Sequence, residues 1–338
     1  MVRANKTDYR VAIYILLIGL LIASGAGAQE SRPRKINGQE PGNDETQTIR
    51  VGTKLVNVFF TVTDKKNNYV NDLMKSEVTV LENGRQQEIF TFKREFNLPL
   101  TMAILVDVSN SVIPVLPQLT DASYRFIDSV MKPDKDRTAI IQFNSEPLVM
   151  QDLTSNVNRL HKGLKDIVAN FIPKEKGPRG LPPLTGVTGI GGTSIYDSII
   201  ATCTDMLAGK QGRKMIILFT DGYDTTSQTK RSDAVEEALR AEAVIYAIAV
   251  GDPRDQGVNK SELNRICEPT GGRAFIPRDV EDLDRAFNEL EQEMRQQYLL
   301  AYEPINDRAD GSFRRIEVRT TNRKGAHIHH RQGYYADR

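Results

Sequence analysis

From Val51 onward, apolar residues fall on alternate positions: Val56, Val58, Phe60 and Val62 share one side of an extended segment running through Thr63. Asp64-Lys65-Lys66-Asn67-Asn68 reads as a turn. A second strand, Glu77 to Glu82, meets Asn83-Gly84, the strongest short hairpin signal, and Gln86 to Phe92 returns. Residues 51–97 therefore form an antiparallel unit of three or four strands, thin on its own.

Beyond Pro99 the period changes. Apolar strand cores at Leu100–Val106, Thr138–Phe143, Met215–Thr220, Val244–Val250 and Arg273–Ile276 alternate with amphipathic segments. The last of these segments puts Leu283, Phe287, Leu290 and Met294 on one helical stripe. Near-continuous apolar strands separated by helices predict a doubly wound, mostly parallel α/β sheet over residues 99–296, covered on both faces. Its functional loops are expected at the carboxyl ends of the strands. After Gln296 the chain reverts to strands: Tyr298–Tyr302, a turn at Asn306–Gly311, then Phe313–Thr320 and a last strand over Ala326–Tyr335. The economical arrangement joins residues 51–97 and 297–336 into one antiparallel β-sandwich with the α/β domain inserted between its halves. The rival is two small sheets packed separately on the α/β core.

The first fifty residues carry a different signal. Lys6 and Arg10 precede an apolar run from Val11 to about Ala23, and Ala26-Gly27-Ala28 follows, the layout of a secretory signal peptide over residues 1–28 cleaved after Ala28. The run is short for a full span, so no stable membrane span is expected after cleavage, the alternative being an uncleaved anchor. Residues 29–50 are polar, contain Pro and Gly and lack periodicity, as in a flexible leader. The mature chain is expected to be exported, periplasmic or secreted. Composition changes this little. With 45 basic and 44 acidic residues the formal net charge is +1, which lacks the basic excess that nucleic acid or an anionic membrane would demand. The only cysteines, Cys203 and Cys267, either pair in an oxidising compartment or stay as buried thiols, and they form no zinc signature.

Three segments just past parallel strands carry candidate chemistry: Asp107-Val108-Ser109-Asn110-Ser111, Gly191-Gly192-Thr193-Ser194 and Thr220-Asp221-Gly222. A hard cation such as Mg2+ takes about six oxygen ligands and gives up water reluctantly. Two carboxylates and three hydroxyls supply part of that shell and leave an open position. Singly, each segment is equally an N-cap or a turn; their joint occurrence in this order is far more specific.

That order, Asp-x-Ser-x-Ser, Gly-Gly-Thr, Thr-Asp-Gly, resembles the metal-ion-dependent adhesion site of von Willebrand factor type A domains, over roughly residues 99–296. The resemblance implies a doubly wound sheet with the site at its top. It implies that Ser109, Ser111 and Thr193 approach a metal directly or nearly so, and that Asp107 and Asp221 act directly or through water. The metal expected is Mg2+, with Mn2+ or Ca2+ as alternatives, and a protein ligand offering an acidic side chain completes the octahedron. The flanks LENGRQQEIFTF and RQGYYA look like a group of exported bacterial proteins with this domain, a looser likeness.

Asp224 and Asp197 are candidates for a second layer around the metal; a loop or capping role for Asp224 and a first-turn helix role for Asp197 are the plainer readings. His327, His329 and His330 read as a solvated strand edge, not a metal cluster. The loop over residues 172–190 leads straight to Thr193; Lys174, Lys176 and Arg179 would offer it positive charge suited to an acidic ligand. The functional class this favours is a metal-dependent protein-binding module and not an enzyme. A structural or regulatory subunit of an envelope assembly is the main alternative. A metal-assisted hydrolase has less support, since no catalytic residues stand out and His161 is the sole histidine within the α/β segment.

Overall fold

The computed structural model describes residues 55–94, 98–171, 192–251, 257–323 and 325–337. The signal and leader readings, Gly191 and the loop over 172–190 lie outside the described residues. Among the described residues no helix is long and apolar enough to cross a membrane. Gly52–Arg338 form one compact unit.

The chain begins with β1 (Val56–Thr63), β2 (Val78–Glu82), β3 (Arg85–Gln87) and β4 (Ile89–Lys93). The α/β part follows: β5 (Leu100–Asp107), α1 (Leu116–Val130), β6 (Arg137–Phe143), β7 (Pro147–Thr154), α2 (Val157–Phe171), α3 (Ile195–Ala201), β8 (Arg213–Thr220), α4 (Arg231–Arg240), β9 (Ala243–Ala249), α5 (Lys260–Cys267), β10 (Ala274–Phe275) and α6 (Val280–Arg295). A π-helical segment, Thr202–Leu207, continues α3. The chain closes with β11 (Tyr298–Tyr302), β12 (Phe313–Thr320), β13 (His327–His330) and β14 (Gly333–Tyr335).

The central sheet runs β10-β9-β8-β5-β6-β7. Every neighbouring pair is parallel except β6 with β7, whose hairpin adds an antiparallel edge that the periodicity did not disclose. β5 is buried along its whole length because helices cover both faces. Met102, Ile104 and Val106 pack with Phe126 of α1, Leu164 of α2 and Phe287 of α6, while Ala103 and Leu105 pack with Ile199 of α3, Ala238 of α4 and Ile266 of α5. The order reverses between β5 and β8, so the loops leaving those two strands flank the crevice where open α/β sheets bind ligands. Cys203 and Cys267 are free and buried, which resolves the open question of a disulfide; burial pushes the Cys203 thiol up to about 12.

The remaining strands form two four-stranded antiparallel sheets, β13-β1-β11-β4 and β14-β12-β2-β3, each built from both ends of the chain. They share one core, in which Val58, Phe60 and Val62 meet Val80, Leu300, Ile316 and Val318. The Phe60 and Tyr298 rings stack at 5.3 Å. Two expected strands prove to be pairs. The return over Gln86–Phe92 breaks at Glu88: β3 pairs with β2 in one sheet, and β4 crosses to pair with β11 in the other. The buried Gln87 amide holds that corner, accepting from the Ile305 amide at 3.0 Å and donating to the Arg85 carbonyl at 3.0 Å. The last strand likewise breaks at Arg331 and Gln332, β13 pairing with β1 and β14 with β12. There the Arg331 guanidinium donates to the Asn57 carbonyl at 2.7 Å and meets Glu242 at 3.2 Å.

The histidines on β13 read from the sequence as a solvated edge, but they are not all solvated. Only His327 is exposed. His330 Nε2 accepts the Val318 amide at 3.3 Å, and burial lowers the pKa of both His329 and His330.

Candidate metal centre

Asp107 is the last residue of β5 and is completely buried. Its Oδ1 accepts the Ser109 amide at 2.8 Å, an Asx turn that bends the chain out of the strand. Asp221 follows β8 and uses the same device, its Oδ1 accepting the Tyr223 amide at 3.0 Å. The Asp221 carbonyl accepts the Asn259 amide at 2.7 Å, which ties this loop to the start of α5.

The two loops then join. Ser111 Oγ donates to Asp221 Oδ2 at 2.5 Å and lies 3.1 Å from Ser109 Oγ. Thr220 Oγ1 donates to Asp107 Oδ2 at 2.6 Å. Thr193, just before α3, is buried and pinned to the loop after Asp221: its amide donates to Thr225 Oγ1 at 2.9 Å, and its carbonyl accepts the Thr225 and Thr226 amides at 2.9 and 3.2 Å. Gly192 permits this approach. Its φ is +150°, and a Cβ there would sit 2.3 Å from the Thr226 methyl.

Asp107, Ser109, Ser111 and Asp221 thus lie in one hydrogen-bonded chain, and Thr193 is fastened to its edge. Asp224 and Asp197 contact the loop that follows Asp221. Asp224 accepts from Ser227 Oγ at 2.6 Å and from the Tyr196 amide at 3.3 Å. Asp197 accepts the Gln228 and Thr229 amides at 2.8 and 3.1 Å and the Thr229 hydroxyl at 2.5 Å. Both carboxylates clamp the loop after Asp221 onto α3, the plainer role expected for Asp224. Burial raises the Asp197 pKa, but these hydrogen bonds outweigh it and leave the group lowered.

Sequence reasoning missed the roles of Thr220 and Thr225. Thr220 stood inside a quoted motif, but its contact with Asp107 depends on two strands lying side by side. Thr225 carries no signal of its own.

The electrostatics favour a cation. Burial drives the Asp107 carboxyl up to about 7; hydrogen bonds from Thr220 and Ser109 pull against that rise, and the charge of Asp221 adds to it. A divalent ion would reverse this imbalance. The spacing agrees: adjacent oxygens of an octahedron with ~2.1 Å metal–oxygen bonds lie about 3.0 Å apart, and the two serine hydroxyls stand at 3.1 Å. Among the described residues no three His, Cys, Asp or Glu side chains converge as a metal group. Any ion here relies on hydroxyl oxygens beside the two carboxylates, a hard-cation donor set.

Two family models, each described as a von Willebrand factor type A domain, match residues 102–223 and 184–289. No curated protein matches the chain. Among solved structures, proximal thread matrix protein 1 from the mussel byssus is 18% identical with a TM-score of 0.48, over 63% of this chain and 51% of that one. A further structure of that protein, described as having a zinc-occupied MIDAS motif, is 18% identical with a TM-score of 0.47, over 63% of this chain and 49% of that one. The chain therefore spans about half the length of these two structures. The conserved hypothetical protein BatB from Bacteroides thetaiotaomicron is 16% identical with a TM-score of 0.43, over 59% of this chain and 97% of that one. The matched residues cover the doubly wound sheet and the loops that carry Asp107, Ser109, Ser111, Thr193 and Asp221, and across that span the chain belongs to the von Willebrand factor type A domain family.

Proposed function

We propose that this protein is an exported, metal-dependent protein-binding module. Asp107, Ser109, Ser111, Thr193 and Asp221 hold a divalent cation, Mg2+ in preference to Mn2+ or Ca2+, and a carboxylate from a protein partner completes its coordination. The observation that carries this reading is the hydrogen-bonded chain from Asp107 to Asp221 through Ser109 and Ser111, at the crevice between β5 and β8. An oxygen-only set with an open side suits recognition of an anionic group.

Binding is favoured over catalysis because neither a histidine nor a glutamate stands in the hydroxyl–carboxylate chain. His161, the histidine of the α/β part, sits on α2 with its Nε2 3.1 Å from Asp128 and its ring 4.5 Å from that of Tyr124. Export rests on the signal-like residues 1–28, followed by the leader 29–50. In the mature chain, residues 51–97 and 297–336 serve as the two halves of a platform that presents the domain over 99–296.

The test is calorimetric titration of MgCl2 and MnCl2 into the protein and into its Ser111→Ala and Asp221→Ala variants, with circular dichroism as a check on folding. Saturable binding in the parent, lost in both folded variants, is expected. A parent protein that takes up neither ion rules the reading out.

A further inference from the structure

At the opposite end of the central sheet from the candidate metal centre, a cleft of about 320 Å³ lies between the sandwich and the α/β part. Phe59 and Leu98, with Leu239 and Val244, give it apolar walls. Lys210, Lys214 and Arg331 also line it, against a single carboxylate, Glu242. Three cations and one carboxylate leave this lining with a charge of +2, whereas the whole chain carries +1.

The cations are not all spent on internal partners. Arg331 Nη1 and Nη2 serve Glu242 and the Asn57 carbonyl, but its Nε is buried without a hydrogen-bond partner. Among the described residues no carboxylate lies within ion-pair distance of the Lys214 ammonium. Burial lowers the Lys214 pKa, and the charge of Glu242 acts against that. Glu242 itself adopts a left-handed backbone with φ of +55°, which a residue other than Gly, Asn or Asp rarely takes. Its carboxylate lies 3.2 Å from the Arg331 guanidinium.

We propose that this cleft is a binding site for a small amphipathic dianion, a phosphate monoester group on a short apolar body. The apolar walls would take the body, and Lys214, Lys210 and the spare Arg331 N–H would take the oxygens. A concave apolar site with a few convergent polar groups is the usual form of a small-ligand pocket. A phosphate monoester carries about −1.5 to −2 charge near neutral pH, which matches the surplus in the lining. The source is either a soluble phosphomonoester or the head of a lipid, and both share this chemistry.

Phenyl phosphate is the probe, titrated by calorimetry into the full chain up to about 10 mM. Inorganic phosphate serves as the comparison without an apolar body, and vesicles containing phosphatidic acid serve as the lipid arm. One-to-one binding of phenyl phosphate, at least about tenfold tighter than inorganic phosphate, is expected. Lys214→Met should weaken it by about tenfold or more, since it removes a charge from a partly desolvated pair, and Lys210→Gln, at an exposed lysine, should weaken it by a smaller factor. Asp221→Ala, which alters only the metal centre, should leave it unchanged, so failure here and failure of the metal reading are separable. Co-sedimentation with the vesicles that is lost in Lys214→Met assigns the lipid source; soluble binding without co-sedimentation assigns the phosphomonoester. Absence of saturable binding, equal affinity for inorganic phosphate, or full affinity in both lysine variants overturns the proposal.

Discussion

Thr220 Oγ1 donates a hydrogen bond of 2.6 Å to Asp107 Oδ2, joining the last residues of two neighbouring parallel strands beneath the candidate metal centre. The same oxygen accepts the Gly222 amide at 3.2 Å, so Thr220 orients the buried carboxylate and the loop carrying Asp221 together. Thr220→Val removes the hydroxyl at nearly constant volume and leaves a buried carboxylate oxygen without its donor. The expected cost is about 1–3 kcal/mol in urea unfolding, together with weaker Mg2+ uptake, and Thr220→Ser should restore both. Wild-type Mg2+ affinity in the valine variant would show that Asp107 does not need this contact.

A second prediction concerns pH. The unfolded Asp107 carboxyl releases its proton near its ordinary value of 3.8, whereas the folded one, raised chiefly by burial, holds it up to about 7. Between those values the folded state binds more protons. The contribution of Asp107 to metal-free stability is therefore full below about pH 4 and declines until about pH 7. Mg2+ binds the ionised form, so its stabilising effect should grow over the same window. The rise in Tm on adding Mg2+ should be larger at about pH 8 than at about pH 5. Asp107→Asn should flatten the metal-free decline and abolish the Mg2+ effect. A Tm increment independent of pH would disconnect Asp107 from the ion.

Asp197 is expected to act on the site through the loop after Asp221, which it holds at Gln228 and Thr229. Asp197→Ala should weaken Mg2+ binding several-fold without removing a donor, and amide exchange over residues 224–229 should quicken. Asp197→Asn, which keeps one acceptor, should recover part of both. Faster exchange with unchanged Mg2+ affinity would confine Asp197 to loop stability.

The junction between the sandwich and the α/β part offers a stability test away from the candidate metal centre. Gly271 has φ of +91°, and a Cβ there would lie 2.6 Å from the Arg331 amide nitrogen. Next to it, the Gln332 amide donates to the Pro269 carbonyl at 2.9 Å. Gly271→Ala combines a disfavoured backbone with a clash against main chain, so a loss of more than about 1 kcal/mol is expected in urea unfolding. An unchanged midpoint would mean that the corner at Arg331 tolerates displacement.

Several features were legible along the chain because their causes are local. The hairpin at Asn83-Gly84 forms with φ of +49° and +81°, as that dipeptide favours. The stripe of Leu283, Phe287, Leu290 and Met294 is buried on α6; the strand cores at Leu100–Val106, Thr138–Phe143 and Met215–Thr220 lie within β5, β6 and β8, while Val244–Val250 runs one residue past β9 and Arg273–Ile276 overhangs β10 at both ends. The return after Gly84 and the final strand read as single strands because no Gly, Pro, Asn or Asp falls within Gln86–Phe92 or between Ala326 and Gln332. A period of two says which side chains face inward but not which neighbour the backbone pairs with. β7 escaped notice for a related reason: its half-exposed edge position leaves no clear apolar rhythm.

The order and spacing of Asp107, Ser109, Ser111, Thr193 and Asp221 are properties of the sequence alone, as are the alternating elements that set those residues at strand ends. Only the tertiary structure decided that Ser111 reaches Asp221 across 110 positions, that Thr220 braces Asp107, and that Asp224 and Asp197 hold a loop. Periodicity and turn chemistry act over a few residues, whereas these contacts depend on which strands lie side by side once the whole sheet is packed.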